Sequence, residues 1–305
     1  MTFVLLVAFG LMLGSFVNAL VWRFHEQDEV RWRLEEFRKS LATAKQDRRA
    51  RLQSDIGKAE AELNELSMSK GRSMCSKCRH PLGPADLVPL FSWLWLRGRC
   101  RYCRQPIEDP PVIDAVLPLL FVISYLVWPI SLDGWGYGWF AFLCWLVFLT
   151  GFVALTVYDM RWFLLPDRIV WPLVALALLQ VGAHALFFDG GVAALTDALW
   201  GVAIASGVFL GLFVVAERLK REWIGFGDVK LGIILGLLVG GPLSAIILLY
   251  IASFLGLFFS LPMLLRHRLK RTSLIPFGPF LMIACIIVLL AEPALTGWLE
   301  RFLLF

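Results

Sequence analysis

Residues 139–159 read WFAFLCWLVFLTGFVALTVYD. The run carries no charge until its last residue, Asp159, and matches the ~20 apolar residues with which a helix crosses a bilayer core. A second stretch, residues 225–240, reads GFGDVKLGIILGLLVG and carries Asp228 at its start. A charged side chain at mid-bilayer costs roughly 2.5–3.5 kcal/mol, and less near the interface. Two carboxylates at the ends of apolar runs therefore suggest a shared use, and the runs themselves predict an all-α polytopic membrane protein.

The rest of the chain agrees with that class. It is 59% hydrophobic and 14% aromatic, with a mean hydropathy of +0.72, far from an ordinary soluble domain. About eight transmembrane helices are expected, over 3–22, 111–131, 139–158, 168–187, 192–216, 228–241, 243–265 and 273–291. The span over 228–241 is short, which fits a helix bordering a water-filled cavity. The N-terminus has no basic flank before its apolar stretch, so it reads as a retained first helix rather than a cleaved signal. With residue 1 outside, the inside segments are 23–110, 159–167, 217–227 and 266–272, and they collect ERLKREW and RHRLKR. The outside turns 132–138, 188–191 and 241–243 hold no Lys or Arg. This is the positive-inside pattern. It puts Asp159 and Asp228 on the cytoplasmic side. The sequence pI near 9.0 comes mainly from these loops and implies anionic lipid headgroups before nucleic acid, which is not expected as a partner.

Segment 23–110 is the one large stretch outside the membrane. Its first part is dense in mixed charge. Leu34, Phe37, Leu41 and Ala44, then Ile56, Ala59, Leu63 and Leu66, recur at helical spacing. The pattern predicts a solvated amphipathic helix or a helical hairpin, with a bend allowed at Gly57; a partner-binding coiled coil is the alternative. No internal repeat is evident. The expected organisation is a first transmembrane helix over 1–22, the cytoplasmic helical segment and a zinc-ribbon-like module over 23–110, and a transmembrane domain over 111–305.

Within that segment Cys75-Ser-Lys-Cys78 and Cys100-Arg-Tyr-Cys103 form two CxxC pairs. Two such knuckles have the ligand spacing of a closed tetrahedral zinc site. Four thiolates leave no open position for a water, so a structural zinc is expected, with Lys77, Arg79, Arg99, Arg101 and Arg104 offsetting its charge. Redox disulfides or free thiols are the alternatives, disfavoured in a reducing cytoplasm. Cys144 and Cys285 lie within spans and read as small buried hydrophobes.

Asp159 and Asp228 sit at helix ends on one side and can meet across a helix interface. At about 4 Å two carboxylates repel by roughly 4 kcal/mol at an effective dielectric of 20. One then stays ionised and can activate a water, while the other keeps a proton to donate to a carbonyl oxygen. Gly225 and Gly227, beside Asp228, would let a peptide or a helix approach closely. Either carboxylate could instead be a helix cap or an ion-pair partner, Lys230 for Asp228 and Arg161 for Asp159.

Six segments in order resemble the type IV prepilin peptidases. Gly14-Ser15-Phe16-Val17-Asn18 with Arg23 resembles GSFLNVVIxR, and Arg72 to Cys78 resembles RSxCPxC. Leu96-Arg97-Gly98-Arg99-Cys100-Arg101-Tyr102-Cys103 resembles LRGKCxxC. Asp159 to Asp167 resembles DxxxxLLPD, Gly225 to Leu231 resembles GxGDVKL, and Pro276-Phe277-Gly278-Pro279-Phe280 resembles PFGPFL. The chain departs from the pattern at Ser76, Arg99 and Asp114, which stand where proline, lysine and a glutamate are usual.

The resemblance implies a membrane aspartic peptidase of the bacterial inner membrane whose catalytic pair is Asp159 and Asp228. It would cut the leader of a prepilin or pseudopilin at the cytoplasmic face and then N-methylate the new terminus from S-adenosylmethionine. It implies supporting roles for Gly225, Gly227, Asp167 and Lys230, and Asn18, Gly98 and Asp114 become candidates for methyl transfer. Cys75, Cys78, Cys100 and Cys103 remain the metal set. Two competing readings are a peptidase without the methyltransferase, and a non-enzymatic membrane scaffold whose zinc module docks a partner.

Overall fold

A computed structural model of the chain describes residues 1–68, 71–107, 111–132, 136–188, 191–221, 224–265 and 275–303, with side chains through residue 291. The basic stretch RHRLKR and parts of ERLKREW and of the expected outside turns lie outside the described residues. Among the described residues the regular elements are ten α-helices and one 3-10 turn (Pro84–Asp86): α1 (Thr2–Thr43), α2 (Gln46–Glu65), α3 (Phe91–Trp95), α4 (Val112–Leu126), α5 (Tyr137–Trp162), α6 (Asp167–Phe187), α7 (Gly191–Arg218), α8 (Phe226–Val239), α9 (Pro242–Leu265) and α10 (Gly278–Leu303). Five of them, α1, α5, α6, α7 and α9, are long and apolar enough to cross a membrane. The apolar helices α4 and α8, and α10 over Gly278–Ala291, are shorter. The chain divides into two compact units, Met1–Leu119 and Leu120–Phe305.

In the first unit the apolar start of α1 and its charged continuation are one unbroken helix of 42 residues, not a transmembrane helix followed by a separate element. No proline or cap interrupts it near Trp22, and the charged residues beyond are good helix formers. The turn of the helical hairpin falls at Ala44–Lys45. Gly57 lies inside an unbroken α2, in open space. The expected stripes meet in part: Val30 and Leu34 of α1 are buried against Ala59 and Leu66, flanked by Trp22, Ile56 and Leu63, while Phe37, Leu41 and Ala44 are half-buried. Ion pairs Arg33–Glu62 (3.1 Å) and Arg38–Glu60 (2.9 Å) line the exposed side.

The end of α2 is closed by side chains from α1. The Arg23 guanidinium, only 5% exposed, donates to the Ser67 and Gly71 carbonyls, each at 3.1 Å. Gln27 Nε2 donates to the Leu66 carbonyl at 2.7 Å. These carbonyls follow the last turn of α2, where intrahelical donors run out; the Ser67 carbonyl also accepts from the Gly71 amide at 2.8 Å.

In the second unit α8 is the central helix, packing against α6, α7, α9 and α10. It is buried along most of its length, from Val229 to Val239. Its contact with α7 is backbone-close: a Cβ on Gly236 would stand 2.6 Å from Gly201 atoms. Small residues allow such packing where lipid offers no hydrophobic drive, and Ser206 Oγ seals it by donating to the Val229 carbonyl at 2.9 Å. At ~1.5 Å per residue, the 14 residues of α8 cover less than a full ~30 Å hydrocarbon core. A cavity of about 420 Å³ lies at its C-terminal end, lined by Gly240, Gly241, Gln180, His184, Tyr137 and Asp197 among others. This cavity lies at the end of α8 opposite Asp228.

Candidate active site and metal centre

Asp159 occupies the last turn of α5. The helix stops because Phe163 takes a left-handed conformation (φ 55°), its amide donating to the Asp159 carbonyl at 2.9 Å. The chain then runs through Leu164-Leu165-Pro166 into α6, whose first residue is Asp167. Proline before the first helical position fixes the entry to that helix. Asp228 lies in the first turn of α8, its amide bonded to the Gly225 carbonyl at 3.2 Å.

The Asp159 carboxyl is buried, 6% exposed, and its Oδ2 has no hydrogen-bond partner among the described residues. It faces the N-terminal end of α10, where the Gly278 amide is directed at it. A Cβ on Gly278 would stand 2.6 Å from Oδ2, so only glycine admits the carboxyl there. Free amides at a helix start favour a negative charge. The charge of Asp159 also reaches Asp228. The two carboxyls therefore share one neighbourhood, built from the end of α5 and the starts of α8 and α10.

The segments carrying the two aspartates are joined at two further points. Lys230 Nζ donates to Asp167 Oδ1 at 2.5 Å, so Lys230 pairs with Asp167 and not with Asp228. Its ammonium also stands 5.3 Å from the Phe226 ring centre. The N-cap position of α6 is taken by Pro166, which offers no side-chain cap. Leu165 packs where a Gly227 side chain would be, 3.2 Å from its Cβ position. The space beside Gly227 is thus filled by this chain's own Leu165, while among the described residues only the Gly227 amide nitrogen, at 3.9 Å, stands near the Gly225 Cβ position. Arg161 lies over the Trp162 ring, 5.8 Å from its centre.

In the first unit the four cysteines converge. The Sγ atoms of Cys75, Cys78, Cys100 and Cys103 all lie within 4.8 Å of one another, with Cys75 and Cys103 4.0 Å apart. A tetrahedral ion with ~2.3 Å bonds to sulfur sets its ligands a little under 4 Å apart, so the set fits such an ion after small adjustments. Burial opposes ionisation of the Cys75 thiol, but the Cys78 and Lys77 amides and neighbouring thiols bring it down to about 7.

The two knuckles are copies of one structure. Cys75 N donates to the His80 carbonyl and Arg79 N to the Cys75 carbonyl; Cys100 N donates to the Gln105 carbonyl and Arg104 N to the Cys100 carbonyl. Arg79 and Arg104 take matching left-handed conformations (φ 54° and 55°). Bridges Met74–Pro81 and Arg99–Pro106 close the two loops. The repeat is visible once aligned, as CSKCRHP over 75–81 and CRYCRQP over 100–106, although no internal repeat was expected. Arg79 and Arg101 are turned toward carboxylates, Glu62 and Asp86, each at 2.6 Å, as well as flanking the thiols. Burial would push Glu62 up, but Arg79 and Arg33 hold its carboxyl below the usual range.

Asn18 and Asp114 also meet. Asn18 Nδ2 donates to Asp114 Oδ1 at 3.0 Å, and the Leu90 amide lies against the same carboxyl. Gly14 makes room for the contact, because its Cβ would stand 2.8 Å from Asp114 Cα. Gly98 lies in the second knuckle with φ +69°, its Cβ position 3.0 Å from the Trp93 ring. No described contact joins Gly98 to the Asn18–Asp114 pair. Leu90, Trp93, Leu165 and Gly278 were not singled out from sequence. Of these, Leu165 and Gly278 stand inside quoted motifs, which was the available signal.

Two family models match the chain: the bacterial peptidase A24 N-terminal domain over residues 8–128 and the type IV leader peptidase family over residues 146–261. Relatives named prepilin leader peptidase/N-methyltransferase include those of Aeromonas hydrophila (34% identical, covering 97% of this chain and 93% of the relative) and Aeromonas salmonicida strain A449 (32%, with the same coverage). The Pseudomonas aeruginosa protein of that name is 30% identical over 95% of this chain and 90% of its own length. No solved structure matches significantly. With this identity along nearly its whole length, the chain belongs to the type IV leader peptidase family.

Proposed function

We propose that this chain is a bacterial inner-membrane endopeptidase that removes the leader of a prepilin or pseudopilin and then N-methylates the exposed terminus. The observation that carries the peptidase reading is the Asp159 carboxyl, buried with Oδ2 unpartnered among the described residues and within electrostatic reach of Asp228. A purely structural carboxylate in that position would be paired or solvated. Two carboxyls in one water-poor site can hold a single proton between them. One takes a proton from a water as that water attacks the scissile carbonyl, and the other donates its proton to the carbonyl oxygen. The Lys230–Asp167 pair and the Leu165–Gly227 packing act as positioning contacts that hold the Asp228 turn beside Asp159.

In the first unit the cysteine tetrad would hold zinc. When bound, zinc supplies folding free energy to a loop with little core of its own. The methyl donor, S-adenosylmethionine, is a second substrate. The buried Asn18–Asp114 pair supports a site for the amine it methylates, with Asn18 orienting the carboxyl and Asp114 accepting the amine's proton. The amine nitrogen then displaces the thioether from the methyl carbon. Gly98, on the second knuckle, is assigned a supporting part in that unit. Methyl transfer is assigned to the Met1–Leu119 unit, which holds Asn18, Asp114 and the cysteine module, and cleavage to the Leu120–Phe305 unit, which holds Asp159 and Asp228. The N-terminus lies outside and the site faces the cytoplasm, in keeping with the charge pattern.

Incubating the purified chain in nanodiscs with a prepilin peptide, with and without S-adenosylmethionine, tests both activities. Mass spectrometry is expected to find the leader released in both samples and a single added methyl group only with the donor. An intact peptide in both would sink the peptidase reading, leaving the scaffold alternative. Cleavage without methylation would leave a peptidase alone.

A further inference from the structure

The five residues of α3 leave one apolar face uncovered on a segment of mixed charge. Phe91, Leu94 and Trp95 are spaced i, i+3, i+4 and share a side of the helix, and they are 70%, 63% and 85% exposed. Leu87 and Val88, also exposed, extend the stripe into the preceding turn. Trp93 points the other way, onto Gly98. The uncovered face is as open as the apolar end of α1, where Val4 and Leu5 are 72% and 61% exposed.

The contacts at the start of α3 set its depth. The amide of Leu90, the residue before it, lies against the Asp114 carboxyl. Asp114 in turn is bonded to Asn18 and packed on Gly14. Gly14 and Asn18 belong to the apolar part of α1, which runs on to Trp22. The start of α3 is therefore level with the last turns of a membrane-crossing segment. Arg97 and Arg99 follow α3 directly, with Arg104 on the adjoining knuckle, and all three are exposed.

We propose that α3 is an in-plane membrane anchor. Its Phe91–Leu94–Trp95 face enters the boundary between headgroups and acyl chains, and the arginines meet anionic phospholipid headgroups. Aromatic residues concentrate at that boundary, and a helix with an apolar face and flanking arginines lies in the interface plane. A protein partner could also cover an apolar face, but the depth fixed through Asp114 and Asn18 puts this one where lipid is the first available surface. The anchor would hold the cysteine module flat against the membrane. It is independent of the proposed chemistry.

The test is photocrosslinking of the full-length chain with p-benzoylphenylalanine replacing Phe91, Leu94 or Trp95, one at a time, in vesicles of phosphatidylglycerol and phosphatidylethanolamine. Bound zinc is measured on each variant to report a folded module. Lipid adducts at the three positions are expected at least about ten-fold above those at Arg48, an exposed α2 residue carrying the same probe. Adducts to another part of the chain or to an added prepilin peptide, or lipid adducts no more frequent than at Arg48, would overturn the assignment.

Discussion

Lys230 lies two residues after Asp228, yet its ammonium reaches Asp167 at the start of α6, 2.5 Å away. The bond joins the two segments that carry the aspartates and leaves the Asp228 carboxyl free of the nearest cation in sequence. Asp167 is more than half exposed, so its removal should cost less than about 1 kcal/mol of stability. The effect on cleavage should be larger, because small misplacements of a reacting group are costly in rate. Asp167→Asn and Lys230→Ala are each expected to slow cleavage about ten-fold, and the double variant no more than either alone. Initial rates in a double-mutant cycle check this; fully additive losses would remove the pair from the positioning account.

Gly278→Ala puts a methyl group 2.6 Å from Asp159 Oδ2, against a rigid helix start. The carboxyl must move, and cleavage should fall by about 10²-fold while the protein still accumulates in the membrane. Gly207→Ala in α7, with nothing within 4 Å of its Cβ position, is the control and should cost little. Comparing the two rates at equal protein level is sufficient.

In the cysteine module, Cys75→Ser with Cys100→Ser should abolish zinc binding, read as metal per chain after purification. A finer test uses Arg104, whose φ of 55° glycine adopts without strain. Arg104→Gly should retain zinc, whereas Arg104→Val, a branched side chain in a left-handed conformation, should release it faster to a chelator, at a strain of about 1–3 kcal/mol.

Asn18→Ala removes the 3.0 Å bond to Asp114 and leaves that buried carboxyl without its side-chain donor. Methylation should drop about ten-fold or more, the equivalent of the ~1.5 kcal/mol lower value for one hydrogen bond to a charged group, while leader cleavage persists. Separate quantification of the two products by mass spectrometry reads both. An equal loss of both activities would mean that the substitution acts through the fold.

The fold class was legible because apolar runs of membrane length leave few alternatives. The helical stripes around Leu34 and Ala59 were equally plain in their spacing. What sequence could not show was that α1 passes from apolar to charged residues without a break. Helix continuity depends on the absence of a stop signal, and that absence is weaker evidence than a cap or a proline. The convergence of the four cysteines followed from spacing alone, whereas the partners of Arg79 and Arg101 depended on where Glu62 and Asp86 happened to fold. The same holds at the aspartates. Their positions at helix ends were readable, but proximity in sequence suggested Lys230 for Asp228, and only tertiary structure gives it to Asp167. Gly278 stood in a recognised motif with no visible reason, since its use is to leave room for a carboxyl more than a hundred residues away.

The central claim is that Asp159 and Asp228 act together on one water. Asp159→Asn and Asp228→Asn each keep the shape of the side chain and remove its ability to ionise. Cleavage of a prepilin peptide by each purified variant, with membrane insertion verified, tests the claim most directly. Each should lose cleavage to background, and the double variant should be no worse. Wild-type rates from either single variant would contradict it.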